Sequence, residues 1–272
     1  MKFVNINWDI WAGRLAKEKS VQSGLSLYYC RPAKVVLADY KVFRSWLEDD
    51  EAVRADCYLK PTDRKIFIVA HALTRYALSL ASLAAGVNIH PTDWRFTDNA
   101  YGKPVVVPPA GFSGPVPVFS LSHTRGGVAM AVAPEGELGV DIEGGGRPYD
   151  LLPLAERFLA KEEYQHIAEH IENGTDEQLF FSYWTLKESY LKAQGVGLGK
   201  ELASFAFRVE GSDVRLLYDQ EGGSEGWWFH QGKVPGQFTL ALAFRSPGER
   251  RELRVYSGDS NNGWQPDLDW GQ

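Results

Sequence analysis

Asp63-Arg64-Lys65-Ile66-Phe67-Ile68, running on to Leu78, returns 113 residues later as Asp176-Glu177-Gln178-Leu179-Phe180-Phe181, running on to Leu191. Asp63/Asp176, Phe67/Phe180, Leu73/Leu186 and Leu78/Leu191 coincide, and Ile66/Leu179 and Ile68/Phe181 are similar. Each copy sets an Asp, suited to an N-cap, ahead of apolar residues at helical period. Gly86 and Gly195 follow as stop signals. Strand-like runs come after each helix: Trp94–Thr97, Val105–Val107, Val116–Leu121 and Gly127–Val132, then Ser204–Val209, Val214–Tyr218, Gly226–His230 and Phe238–Phe244. The pattern predicts an α+β protein of two similar α/β halves forming an intramolecular pseudo-dimer. Residues 1–133 form the N-terminal half, 134–248 the C-terminal half and 249–272 an extension.

Between the halves, Pro134-Glu135-Gly136-Glu137 reads as the turn of a hairpin crossing from one half to the other. Gly144-Gly145-Gly146-Arg147-Pro148 reads as flexible, and Leu151–Ile171 as one helix. From about Ser257 the chain is poor in aliphatic residues and is expected to be poorly structured.

The 272 residues suffice for a sizeable core, and 44% hydrophobic with 24% charged residues is ordinary for a globular protein. No apolar run is read as a membrane span, which needs about 20 residues. Met1–Trp8 reads as a strand and not as a signal peptide. Cys30 and Cys57, far apart and without metal-type spacing, suit a reduced, cytoplasmic compartment. The net charge of −6 is uneven. Residues 1–133 hold 16 Lys/Arg against 11 Asp/Glu, or +5, and residues 134–272 hold 13 against 24, or −11. The first half suits a small polyanion and the second carries the carboxylates. No dense basic stretch interleaves with aromatics, so nucleic acid is not the expected partner.

Gly139-Val140-Asp141-Ile142-Glu143 alternates with the strand period, placing Asp141 and Glu143 on one face. In Trp184-Thr185-Leu186-Lys187-Glu188-Ser189-Tyr190-Leu191-Lys192, Glu188 and Lys192 are four apart on a helix and share a face. Taken singly, the first is an ordinary solvated strand face and the second a helix-surface ion pair worth a few tenths of a kcal/mol. Together they offer three carboxylates to a hard cation such as Mg²⁺ and a lysine to a phosphate. Tyr101-Gly102-Lys103-Pro104 puts a lysine in a turn, and Phe119-Ser120-Leu121-Ser122-His123-Thr124 ends a strand in hydroxyls and an imidazole. Lys103, Ser122 and His123 are candidate phosphate donors. His123 faces away from Ser122 on a strand, so a nucleophilic Ser122 is disfavoured. The other histidines, His166 and His170 among them, form no metal-type cluster and read as structural.

These four motifs, in this order, resemble those of the 4′-phosphopantetheinyl transferases of the surfactin-synthetase-activating (Sfp) type, over about residues 55–245. The resemblance implies transfer of the phosphopantetheine arm of coenzyme A to a serine of an acyl- or peptidyl-carrier protein, releasing 3′,5′-ADP. Carried over, Asp141, Glu143 and Glu188 would bind Mg²⁺, with Mn²⁺ also acceptable to such oxygen donors. Asp141 would thereby also help hold coenzyme A. Lys103, Ser122 and His123 would hold the 3′-phosphoadenosine end and Lys192 the diphosphate. Glu188, directly or through a water, would take the serine proton, and Lys192 would stabilise or protonate the leaving phosphate.

One departure stands out. Where the family commonly has an arginine for the 3′-phosphate this chain has Ile66, and Arg64 or Lys65 is the expected substitute. Carrier docking is expected near Tyr149–Leu154 and Arg147, and a monomer is expected because the pseudo-dimer already supplies the cleft. Rival readings are another Mg²⁺-dependent coenzyme A or nucleotide phosphoester enzyme, and a non-catalytic module that binds coenzyme A or a carrier. No Walker loop or dinucleotide fingerprint appears, which weighs against nucleotide-triphosphatase and Rossmann readings.

Overall fold

Alternation along the strands sorts the core into layers. In the computed structural model, which describes residues 24–112, 114–144, 151–171, 176–211, 213–247, 252–259 and 263–266, β1 is Leu25–Cys30 and β5 is Gly127–Ala133. Tyr28, Cys30, Val128, Met130 and Val132 face one core, while Leu25, Leu27, Tyr29, Ala129, Ala131 and Ala133 face another. The first core is closed by the long helix α3 (Pro61–Ala84), preceded by α1 (Leu37–Ser45) and α2 (Asp49–Asp56). The second lies between two sheets, where β6 (Glu137–Gly144) contributes Leu138, Val140 and Ile142, and β10 (Phe238–Arg245) contributes Leu240, Leu242 and Phe244. The other face of β10, through Ala241 and Ala243, packs under α6 (Asp176–Gln194) together with Phe180, Tyr183, Leu186 and Tyr190. The layers run helix, sheet, sheet, helix.

The two halves repeat one strand order. In the first, β1 and β4 (Val118–Thr124) flank β5, both antiparallel to it. In the second, β6 and β9 (Trp227–Val234) flank β10, both antiparallel to it. Each long helix is followed by a small hairpin: β2 (Arg95–Asp98) with β3 (Pro104–Val107), then β7 (Phe205–Glu210) with β8 (Asp213–Asp219). The sequence repeat falls within α3 and α6. Gly86 and Gly195 do stop the helices, with φ of +83° and +71°, closing turns on Leu83 and Leu191.

Several expectations are corrected. Asp63 is not an N-cap: Pro61 starts α3 after Lys60, so Asp63 lies in the first turn, and Asp176 is likewise already helical. The turn at Pro134–Glu137 does not make a hairpin, because β5 and β6 join different sheets. Leu151–Ile171 is not one helix; it splits into α4 (Leu152–Phe158) and α5 (Lys161–Ala168), with Leu159 and Ala160 extended between them. Of the tail expected to be poorly structured from Ser257, residues 257–259 end β11 (Leu253–Asp259), parallel to β1, and residues 263–266 form β12 (Gly263–Pro266) beyond it, while residues 260–262 and 267–272 lie outside the described residues. Tyr256 stacks on Tyr28 at 5.1 Å, and Val255 enters the inter-sheet core. Finally, α3 is long and apolar enough to cross a membrane by length and composition, with mean hydropathy 1.5, yet 78% of that stretch is buried as the core helix of the first half. The strand expected at Met1–Trp8 lies outside the described residues.

Candidate active site

Gly139 determines how α6 meets the sheet. A Cβ there would sit 1.8 Å from Ser189 O and 2.5 Å from Ala193 N, so only glycine lets the helix backbone lie directly on β6. Two and four residues on, along the same strand face, come Asp141 and Glu143; one turn apart on the helix come Glu188 and Lys192. The sequence-predicted residues Asp141, Glu143, Glu188, Lys192 and Ser122 are therefore brought together.

β6 is an edge strand of its sheet, and the hydroxyls of β4 cover that edge. Ser120 Oγ accepts from the Val140 amide at 3.0 Å, Ser122 Oγ donates to Asp141 Oδ1 at 2.8 Å, and Thr124 Oγ1 donates to Glu143 Oε2 at 2.9 Å. Lys192 Nζ lies 2.6 Å from the same Asp141 Oδ1 and 2.9 Å from Ser122 Oγ. Ser122 is thus spent on the carboxylate and not turned to the cleft. His123, its neighbour, is exposed and lines the cleft, as strand alternation requires.

Glu188 is half-buried, and its carboxyl is raised above the usual range. Burial is the main cause; the charge of Asp141 adds to it, Lys192 opposes it and Glu143 contributes less. A carboxyl held high in this way is a better base than a free glutamate. Among the described residues no three His, Cys, Asp or Glu side chains form a group able to hold a metal ion. The donor set nonetheless suits a hard cation: the oxygens are carboxylate, their charges are felt together at Glu188, and Asp141 Oδ2 is buried without a hydrogen-bond partner.

Beside these groups opens a cleft of about 660 Å³. Lys103 lines it from a turn where Gly102 has φ +79° and the Asn99 side chain accepts from the amides of Tyr101 and Lys103. Its ammonium donates to Leu138 O at 3.2 Å and Lys192 O at 2.6 Å, tying the hairpin of the first half to β6 and α6 of the second. Burial pushes this lysine's pKa down.

Arg64 is a correction: it donates to Asp56 O and Tyr58 O at the end of α2 and is not among the residues lining the cleft. The basic side chains that do line it at that end are Arg54, His71 and Arg75, and sequence reasoning missed all three. His71, Thr74 and Arg75 follow helical spacing on one face of α3, the signal that was present. Arg75 is fully buried, ion-paired with Glu51 at 2.7 Å and set over the Phe96 ring at 4.8 Å. Burial alone would raise Glu51, but the His71 hydrogen bond and the Arg75 charge hold it down at about 2. Of the expected docking segment, residues 145–150 lie outside the described residues, Leu151 is buried and Leu154 is exposed.

Residues 137–243 match the 4′-phosphopantetheinyl transferase superfamily. The chain is 27% identical over 228 residues to the L-aminoadipate-semialdehyde dehydrogenase-phosphopantetheinyl transferase of Mus musculus, covering 79% of this chain and 72% of that one. It is 31% identical over 154 residues to the 4′-phosphopantetheinyl transferase HetI of a Nostoc species, covering 57% and 62%. With the 4′-phosphopantetheinyl transferase Sfp of Bacillus subtilis it shares 28% over 219 residues, covering 79% and 89%. The matched segment starts with β6 and ends in β10, so it carries Asp141, Glu143 and Glu188, and by these likenesses the chain is similar to the 4′-phosphopantetheinyl transferases.

Proposed function

We propose that the protein transfers the 4′-phosphopantetheine arm of coenzyme A to a serine hydroxyl of a carrier protein, with Mg²⁺ and with release of 3′,5′-ADP. The observation that carries this reading is the convergence of Glu188 and Lys192 of α6 on Asp141 and Glu143 of β6, beside a cleft walled by cations. Asp141, Glu143 and Glu188 are the residues that would hold Mg²⁺, or Mn²⁺ in its place. When bound, the cation neutralises diphosphate charge that these side chains cannot.

The chain's own residues do the rest. Glu188 takes the proton of the carrier serine as its oxygen attacks the phosphorus next to the pantetheine arm. The bond from that phosphorus to the bridging oxygen breaks, and Lys192 balances the charge growing on the departing 5′-phosphate. His123, Lys103, Arg54 and Arg75 face the 3′-phosphoadenosine end, Arg54 and His71 standing where Arg64 was expected. Thr124 and Ser122 hold Glu143 and Asp141 in orientation. The protein acts in the cytoplasm as a monomer, whose two halves already enclose the cleft.

Intact-mass spectrometry of apo carrier proteins incubated with the protein, coenzyme A and Mg²⁺ tests the reading. A mass gain of one phosphopantetheine arm, abolished by EDTA and reduced about 10²-fold or more in rate by Glu188→Gln, is the expected result. No gain with acyl-carrier, peptidyl-carrier or aminoadipate-pathway carrier domains would overturn it.

A further inference from the structure

Asp141 is already occupied, and by the chain itself. Its Oδ1 accepts from Lys192 Nζ at 2.6 Å and Ser122 Oγ at 2.8 Å, while Oδ2 is buried without a partner among the described residues. The Asp141 side chain is only 6% exposed, whereas that of Lys192 is 32% exposed. A carboxylate so deeply set keeps its charge at low cost only with a cation beside it. A divalent ion taking the open Oδ2 would stand beside the ammonium on Oδ1 of the same carboxylate, and two cations so close repel strongly unless the ammonium moves away. Lys192 has somewhere else to go, because it also lines the cleft, where an oxyanion would offer its ammonium a second seat.

We propose that Lys192 is a latch on Asp141: it balances that carboxylate while the cleft is empty, and leaves it for the phosphate oxygens of an incoming diphosphate ligand. This rests on the transferase reading only for the identity of that ligand as coenzyme A. The consequence is an order of events. A divalent cation alone binds weakly because it must displace the lysine. The diphosphate draws the lysine off, and each ligand then raises the affinity of the other by the same factor. Ser122 stays behind, holding Oδ1 in place for its new partner.

Binding of Mn²⁺, followed by electron paramagnetic resonance of the free ion, measures this without any carrier or turnover. Lys192→Met is expected to bind Mn²⁺ alone on the order of tenfold more tightly than the parent, and to lose most of the enhancement that coenzyme A gives the parent. Lys192→Gln, which keeps a hydrogen-bond donor without the charge, guards against a folding defect and should behave alike. Lys41→Met removes an exposed ammonium on α1, outside the cleft, and should leave the affinity for Mn²⁺ alone within about twofold. Equal or weaker Mn²⁺ binding in both Lys192 variants overturns the latch. So does a Lys41→Met gain as large as theirs, which would reduce the effect to net charge. Failure of transfer with a working latch would sink the transferase reading alone; transfer with no latch would sink only this one.

Discussion

Gly139 is where a single atom decides the site. Adding a Cβ against the Ser189 carbonyl forces α6 off β6 and separates Glu188 and Lys192 from their partners. Gly139→Ala is expected to cost about 3 kcal/mol or more of stability, read from urea midpoints, and to abolish transfer. Glu188 gives a different test, of sign. Its carboxyl is raised in the folded protein, so it binds its proton more tightly there than in the unfolded chain. Stability therefore falls as pH climbs from the unfolded value of about 4.3 through the raised folded one. Without divalent cation, Glu188→Gln should melt above the parent at neutral pH and together with it below about pH 4. A variant that melts lower at neutral pH would show that Glu188 is stabilised as a carboxylate. The alternation of Asp141 with Glu143 and the four-residue step from Glu188 to Lys192 were legible because both are local periods. The partner of Ser122 was not: it lies 19 residues away on a strand of another sheet, and hydroxyl spacing alone does not say which edge will cover it.

At the scale of elements, the motif residue with no chemical assignment turns out to be a strut. Lys187 is fully buried and points away from the cleft, donating to Leu202 O and Phe205 O and pairing with the equally buried Glu163 at 2.9 Å. Glu163 in turn accepts from the amides of Ala160 and Phe207, so one pair ties α5, α6 and β7 together. Burial pushes Lys187 down and Glu163 up, each against the other's attraction. Lys187→Met is expected to destabilise by about 3–5 kcal/mol in chemical denaturation, because it strands the Glu163 charge. Lys187→Met with Glu163→Leu should recover much of that loss; no recovery would mean that the amide bonds of Glu163 outweigh the pair. The same carboxylate explains the broken helix. An apolar spacing continued through Leu159 and Ala160 in sequence, but Glu163 satisfies the Ala160 amide and starts a new helix there.

For the whole molecule, the two-half layout was legible because both copies keep helix, hairpin and strands in one order. The hairpin expected after Pro134 failed because a short turn between two apolar strands says nothing of whether they share a sheet. The tail failed because composition measures its own aliphatic content and not the edge of β1 waiting for it. A chain ending at Ser246 loses Val255 from the inter-sheet core and the Tyr256–Tyr28 stack. It should lose about 3–5 kcal/mol, seen as a lower melting temperature and urea midpoint. An unchanged melt would make β11 an ornament of the fold.

That pairing also sets a timetable. β1 is made long before β11, its parallel neighbour. Until β11 is made the first sheet has an unpaired edge at β1, and Tyr28 lacks the Tyr256 ring, however completely the elements between have folded. A nascent chain stalled before Leu253 should therefore be a species that chaperones and proteases find, and the arrival of β11 is the moment at which that edge closes.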